Sequence, residues 1–135
     1  MKYEILNPAQ PASEKSIIEV ETIFNFVLLE KFNEILRIND GATFWRSPKE
    51  IQFLGTKDMI SYYECYEFSK YFPEAIPIVM DGNGNFIHFI QGQGDSVFIS
   101  SAGNLCMEDS VKIAESIVEF LDDPINPEEY LFGTT

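Results

Sequence analysis

The sequence predicts a mixed helix-and-sheet domain built on one central antiparallel hairpin, and three observations predict it. Residues 76–90 hold two apolar runs around Asp81-Gly82-Asn83-Gly84-Asn85. Gly and Asn reach positive φ cheaply, so the chain reverses there and its flanks pair antiparallel. Before the turn, Ile76, Ile78 and Met80 share a face; after it, Phe86, His88 and Ile90 share one face and Ile87 and Phe89 the other. Both faces are largely apolar, which places the hairpin inside a sheet with at least one face covered by helices. Apolar stripes at helical spacing on both sides of the hairpin supply those helices.

Taken in order, residues 1–12 form an arm: Tyr3 and Ile5 alternate with polar neighbours, and Pro8 and Pro11 stop any regular element. Ser13 and Ser16 are both N-cap candidates, and Ser16-Ile17-Ile18-Glu19 has capping-box spacing. A helix is predicted from there to Phe24, with Ile17, Val20 and Phe24 inward and Ile23 beside them. After a break at Asn25-Phe26-Val27, a second helix over 28–38 turns Leu28, Phe32, Ile35 and Leu36 inward. Its outer face pairs Glu34 with Arg37 within one turn. Asn39-Asp40-Gly41 stops it, since Asn and Gly accept the left-handed cap conformation.

Phe44-Trp45 begins an irregular or strand segment, Ser47-Pro48 is a turn, and Ile51, Phe53 and Leu54 read as a short strand ending at Gly55. Thr56 or Asp58 caps a third helix over 57–68. Beyond the hairpin come a turn at Gly92-Gln93-Gly94-Asp95, a strand over 96–100 and a turn at Ala102-Gly103-Asn104. The last helix carries Val111, Ala114, Ile117, Val118 and Leu121; periodicity permits a start at Asp109 or at Ser116. Asn126-Pro127-Glu128-Glu129 predicts a final turn carrying Tyr130, Leu131 and Phe132.

The chain has 135 residues, enough for one domain with a proper core. Nine Lys and Arg against 22 Asp and Glu give a net charge of −13, and beyond Lys70 only Lys112 is basic. That field disfavours nucleic acid and anionic membrane and steers a basic partner, although solubility alone accounts for it equally well. Cys65 and Cys106 make no disulfide framework and have no metal spacing, so buried reduced thiols in the cytoplasm are expected. No signal peptide opens the chain, and no apolar run approaches a membrane span.

Chemistry is sparse. Asp81-x-Asn83-x-Asn85 imitates the first half of a calcium loop, but Phe86 and Gly92 stand where Gly and Glu belong. Gly82-x-Gly84 lacks the third glycine of a dinucleotide fingerprint. His88, the single histidine, reads as half-buried and hydrogen-bonded. The aromatics from Tyr62 to Phe72 read as core packing before a base-stacking platform. No catalytic residue, cofactor or metal site is expected.

The wording of three stretches carries a resemblance. Ile18-Glu19, then the run from Ile23-Phe24-Asn25 through Phe32-Asn33-Glu34-Ile35-Leu36 to Asn39-Asp40-Gly41, resembles the opening of the Smi/Knr-like domain of the SUKH superfamily. The hairpin is similar to the family's Ile-Gly-x-Asp-Gly-Gly-Gly stretch, and residues 113–121 to its closing helix. Asn25 replaces the usual Gly, Leu29 the Pro and Asp40 the first Gly of a pair, while Asn83 and Asn85 interrupt the glycine run. The resemblance implies one α+β domain over 16–122: a largely antiparallel sheet of about six strands with N-terminal and C-terminal helices packed on it. Residues 1–15 are then an arm and 123–135 an acidic, aromatic tail.

It also implies a non-enzymatic immunity protein that binds and neutralises a polymorphic toxin domain. A basic nuclease is the partner that charge complementarity favours. The alternative is a general interaction or scaffolding module like the cell-wall assembly regulators. For the contact surface, turn placement favours the Asp81 end of the sheet, with Asn83 and Asn85 adding hydrogen bonds and Glu108 and Asp109 beside them.

Overall fold

The structure is a computed structural model that describes residues 3–123. It has the α+β class, in the order β1 (Glu4–Leu6), α1 (Glu14–Phe24), α2 (Glu30–Ile38), β2 (Thr43–Arg46), β3 (Lys49–Gln52), α3 (Thr56–Cys65), α4 (Phe68–Tyr71), β4 (Ala75–Met80), β5 (Asn85–Ile90), β6 (Val97–Ser101), β7 (Val111–Ala114) and α5 (Ile117–Asp122). The described strands form two antiparallel sheets, β1-β2-β3 and β4-β5-β6-β7. A bridge from Phe53 to Val79 and a 2.8 Å bond from Leu54 N to Ile78 O join them. Pairing goes no further because the chain turns at Gly55 into α3.

The hairpin is central, as its two apolar faces require. Every residue of β5 is buried, and all of β4 except Met80. Ile87 and Phe89 face the main core, which α1, α2 and α5 cover with Val20, Phe32 and Phe120. Phe86 and Ile90 face a second cluster under α3 and α4, built on Phe68 and Phe72. Phe86 is its hub: the rings of Tyr62, Tyr66 and Phe68 meet it edge-on at 5.7, 5.0 and 5.2 Å. β4 departs from strict alternation. Its register slips between Pro77 and Val79, and the bulge turns both Ile78 and Val79 into the main core. A proline, which donates nothing to a ladder, suits that position.

Several sequence expectations are corrected here. The predicted arm contributes β1, which pairs with β2. Helix α1 is capped by Ser13, whose Oγ accepts from Ser16 N at 3.1 Å, and starts before the Ser16 capping box. Asn25, at φ 51°, ends it in the left-handed conformation, and Glu21 Oε2 accepts from Leu28 N in the break at 2.8 Å. Arg37 pairs with Glu14 of α1 at 2.6 Å, leaving Glu34 to Lys31 at 3.2 Å. Of the Asn and Gly expected to accept the left-handed conformation after α2, Gly41 does so, at φ 92°, while Asn39 is extended. The single helix predicted over 57–68 is broken by Glu67 at φ 55° into α3 and α4. Val111 and Ala114 lie on β7, so the last helix starts after Ser116, whose Oγ accepts from Glu119 N at 3.1 Å. Cys65 is exposed and Cys106 half-buried, against the expectation of buried thiols. The turn predicted around Tyr130, Leu131 and Phe132 lies outside the described residues.

Two long-range polar contacts hold the ends of this frame. Asp40 caps α3 from outside the helix, its carboxylate accepting from Thr56 N at 2.6 Å and Thr56 Oγ1 at 2.9 Å. At the other terminus of the fold, the small sheet donates to the carbonyls that end α5. Tyr3 Oη reaches Leu121 O at 2.6 Å, and the buried Lys49 reaches Asp123 O at 2.6 Å and Phe120 O as well. Burial lowers the Lys49 pKa to about 8, with the charge of Asp123 pulling it back up. A cation on the last carbonyls of a helix also meets the negative end of its dipole.

Candidate partner-binding surface

The hairpin turn is built from its own side chains. Asp81 accepts from Asn83 N at 2.7 Å, from Asn85 N at 3.0 Å and from Asn85 Nδ2 at 2.7 Å. Both carboxylate oxygens are therefore turned onto N–H donors within the loop, which is the opposite of a cation cradle. Gly82 and Gly84 sit at φ 81° and 83° with open space where a Cβ would project. Asn85 is buried.

Strand register decides what lies beside this turn. Asn85 pairs with Ser101, and Val111 pairs with Ile99, so β6 ends and β7 begins at the hairpin-turn end of the sheet. The connection between them carries Glu108 and Asp109 on a 3-10 turn, both exposed. Ala102 N donates to Gly84 O at 2.7 Å and ties this connection to the turn. Asp81, Asn83, Asn85, Glu108 and Asp109 thus gather at one end, but they are not equally available. Asp81 and Asn85 are spent on the loop, and Asp109 accepts from Cys106 Sγ at 3.0 Å. That bond pushes the Cys106 thiol pKa up. Asp95 lies at the opposite end, where it lines an open groove of about 460 Å³ with Leu29, Glu30 and Val118.

His88 is more deeply placed than the half-buried position expected, with no exposure at all. Its Nδ1 lies 3.0 Å from Phe89 O, which only accepts, so Nδ1 carries the proton. Nε2 then accepts from Ser100 Oγ at 2.8 Å. A serine does stand beside the histidine, but it is buried too and donates its proton to the ring in a bond that holds β5 to β6. The rings of Phe72 and Phe98 pack on the imidazole at 5.3 and 6.1 Å. Among the described residues no group of three or more His, Cys, Asp or Glu is placed to hold a metal, and no helix is long and apolar enough to cross a membrane.

Sequence reasoning missed Asp40 and Lys49 as tertiary caps. The available signal was an acid directly before Gly41 and a lysine opening a strand. Neither pattern names a partner 16 or 71 residues away. A family model described as SMI1 / KNR4 family (SUKH-1) matches residues 11–123. No curated protein matches the chain.

Proposed function

The chain belongs to the SMI1 / KNR4 family (SUKH-1), and from that premise we propose that it is an immunity protein that binds a cognate toxin domain in the cytoplasm and blocks it. The observation that carries this reading is the family match over 11–123 on a chain of net charge −13. An acidic binder gains association rate and specificity against a basic partner, which favours a nuclease among toxin activities. The chain's contribution is contact; no bond is made or broken by its residues.

The test is protection. A toxin domain encoded beside this chain is expressed with and without it; growth is restored only with it, and the two elute as one complex. A toxin that kills equally in both cases overturns the reading.

Within that reading, Asp81, Glu108 and Asp109 of the rim act through charge on association, Asn83 adds hydrogen bonds, and the buried Asn85 holds the turn. The substitutions Glu108→Gln and Asp109→Asn leave the Asp81 loop bonds untouched, whereas Asp81→Asn disturbs them. The E108Q/D109N pair is expected to slow toxin association several-fold at low salt and to flatten its salt dependence. Unchanged rates at both salt levels place the rim outside the interface.

A further inference from the structure

We propose that the outward face of the three-stranded sheet, where Trp45 lies between Glu4 and Glu50, receives an arginine side chain of the basic partner. The proposal rests on the reading above and names the contact that reading leaves open.

The face follows from alternation along β2. Phe44 turns inward, its ring meeting Phe53 edge-on at 4.9 Å and Tyr3 at 5.9 Å. Trp45 therefore points to the other side, where it is 41 % exposed. The register sets a carboxylate directly opposite it on each neighbour: Glu4 on β1 and Glu50 on β3. Directly opposed residues of antiparallel strands have Cβ atoms about 5 Å apart. Both glutamates are exposed.

Tryptophan is a large apolar side chain to leave in water, and Trp45 is left partly in it. Among the described residues the three cation–π pairs are Arg46 on Tyr3, Lys49 on Phe120 and Lys70 on Tyr71; none involves Trp45. An indole with an acid on either flank matches a guanidinium. The plane stacks on the ring while its N–H groups reach the carboxylates. Lysine, a compact and strongly hydrated charge, fits such a site less well.

The face does not end at Trp45. The next residues on the same side of the strands, Thr43 and Gln52, line a cleft of about 290 Å³ together with Asp58 and Met80. Met80 directly precedes the hairpin turn, so the cleft at the Thr43 end of this face lies on the hairpin side of the small sheet. A net charge of −13 attracts a basic segment, Glu4 and Glu50 give this face its share of that field, and Trp45 adds an apolar anchor. Buried aromatic and arginine contacts are where interface energy concentrates.

Trp45 is the single tryptophan, so its emission reports the site without a label. The full chain is titrated at low salt with a hexa-arginine peptide and, for comparison, hexa-lysine, with calorimetry in parallel. A saturable change in Trp45 emission is expected, tighter for arginine. The double variant Glu4→Gln, Glu50→Gln is expected to bind about fivefold more weakly. Emission that does not respond, or equal affinity in the double variant, overturns the proposal. Trp45 shielded from acrylamide before any peptide is added overturns it too. Shielding lost on dilution identifies a second copy as the occupant, and shielding kept on dilution identifies residues 124–135. Heat of binding with silent Trp45 leaves the basic-partner reading standing and removes only this surface. Silence in both measurements removes the charge complementarity on which that reading leans.

Discussion

His88 is a stability switch with a predictable sign. Burial lowers its pKa to about 4, against the usual 6.5, and the bond to Phe89 O only partly offsets that. Between those two values the unfolded chain binds a proton that the folded chain refuses. Stability therefore falls as pH drops through 6.5 and continues to fall until about pH 4. The full loss is on the order of 3 kcal/mol. Carboxylates titrate in the same range, so the clean comparison is with His88→Gln. Its deficit relative to the parent in urea melts should shrink steadily from pH 7 to pH 4. A deficit that stays constant would mean that the folded imidazole takes its proton at the same pH as the unfolded one. At neutral pH the variant should bind partner normally, since the ring reaches nothing outside the core. Nothing in the sequence points to Ser100 as its neighbour; a hydrogen bond across strand register is visible only once the register is known.

At the scale of the element, local signals were legible where a pattern closes on itself. The hairpin was legible because Asp81 through Asn85 contain both the acceptor and the donors that fold the turn. The inner stripes of α1 and α2 were legible for the same reason. Two of the Ser-x-x-Glu stretches show the limit. Ser16-x-x-Glu19 has capping spacing but lies inside α1, because Ser13 already caps it. Ser116-x-x-Glu119 has the same spacing and does cap α5. Spacing identifies a competent cap; what precedes it, an earlier cap at Ser13 or the strand β7 before Ser116, decides whether the cap is used. Val111 and Ala114 fit the stripe of a helix and sit in β7 because β6 offers an edge to pair with.

Two element-level predictions follow from backbone geometry. Gly82→Val or Gly84→Val costs about 1–3 kcal/mol from positive φ alone, since open space surrounds both positions. Gly41→Ala should cost more than Gly84→Ala, because its Cβ would also meet Gly55 N at 2.8 Å. Thermal melts rank the variants, and equal costs at 41 and 84 would sink the close-approach argument. The same crossing holds the Asp40 cap, so Asp40→Ala should lower stability by about 1–2 kcal/mol. A melt unchanged by that substitution would show that water serves Thr56 equally well.

For the whole molecule, charge is the property that sequence made plainest, while its geography needed the fold. The grouping of Glu108 and Asp109 with the hairpin turn follows from strand order, because β6 runs from the Asp95 end back to the turn. Trp45 between Glu4 and Glu50 was hidden, because residues 1–12 read as an arm and no pairing could be assigned to them. The field itself carries the last prediction. A folded chain of net charge −13 holds its acids closer together than the unfolded chain does, so self-repulsion destabilises the fold. The exposed pairs Arg37–Glu14, Lys31–Glu34 and Lys112–Glu115 oppose this, but each is worth at most about 1 kcal/mol. Salt screens both effects, and the unbalanced acids outnumber the pairs. The melting temperature should therefore rise between low salt and about 0.3 M sodium chloride, where the Debye length shrinks to about 6 Å. Association with a basic partner is screened by the same ions and should slow over the same range. Opposite responses of folding and binding are the signature of one acidic field acting on both. A melting temperature that falls with salt would show that the ion pairs outweigh the repulsion, and the charge would then have to be explained by the partner alone.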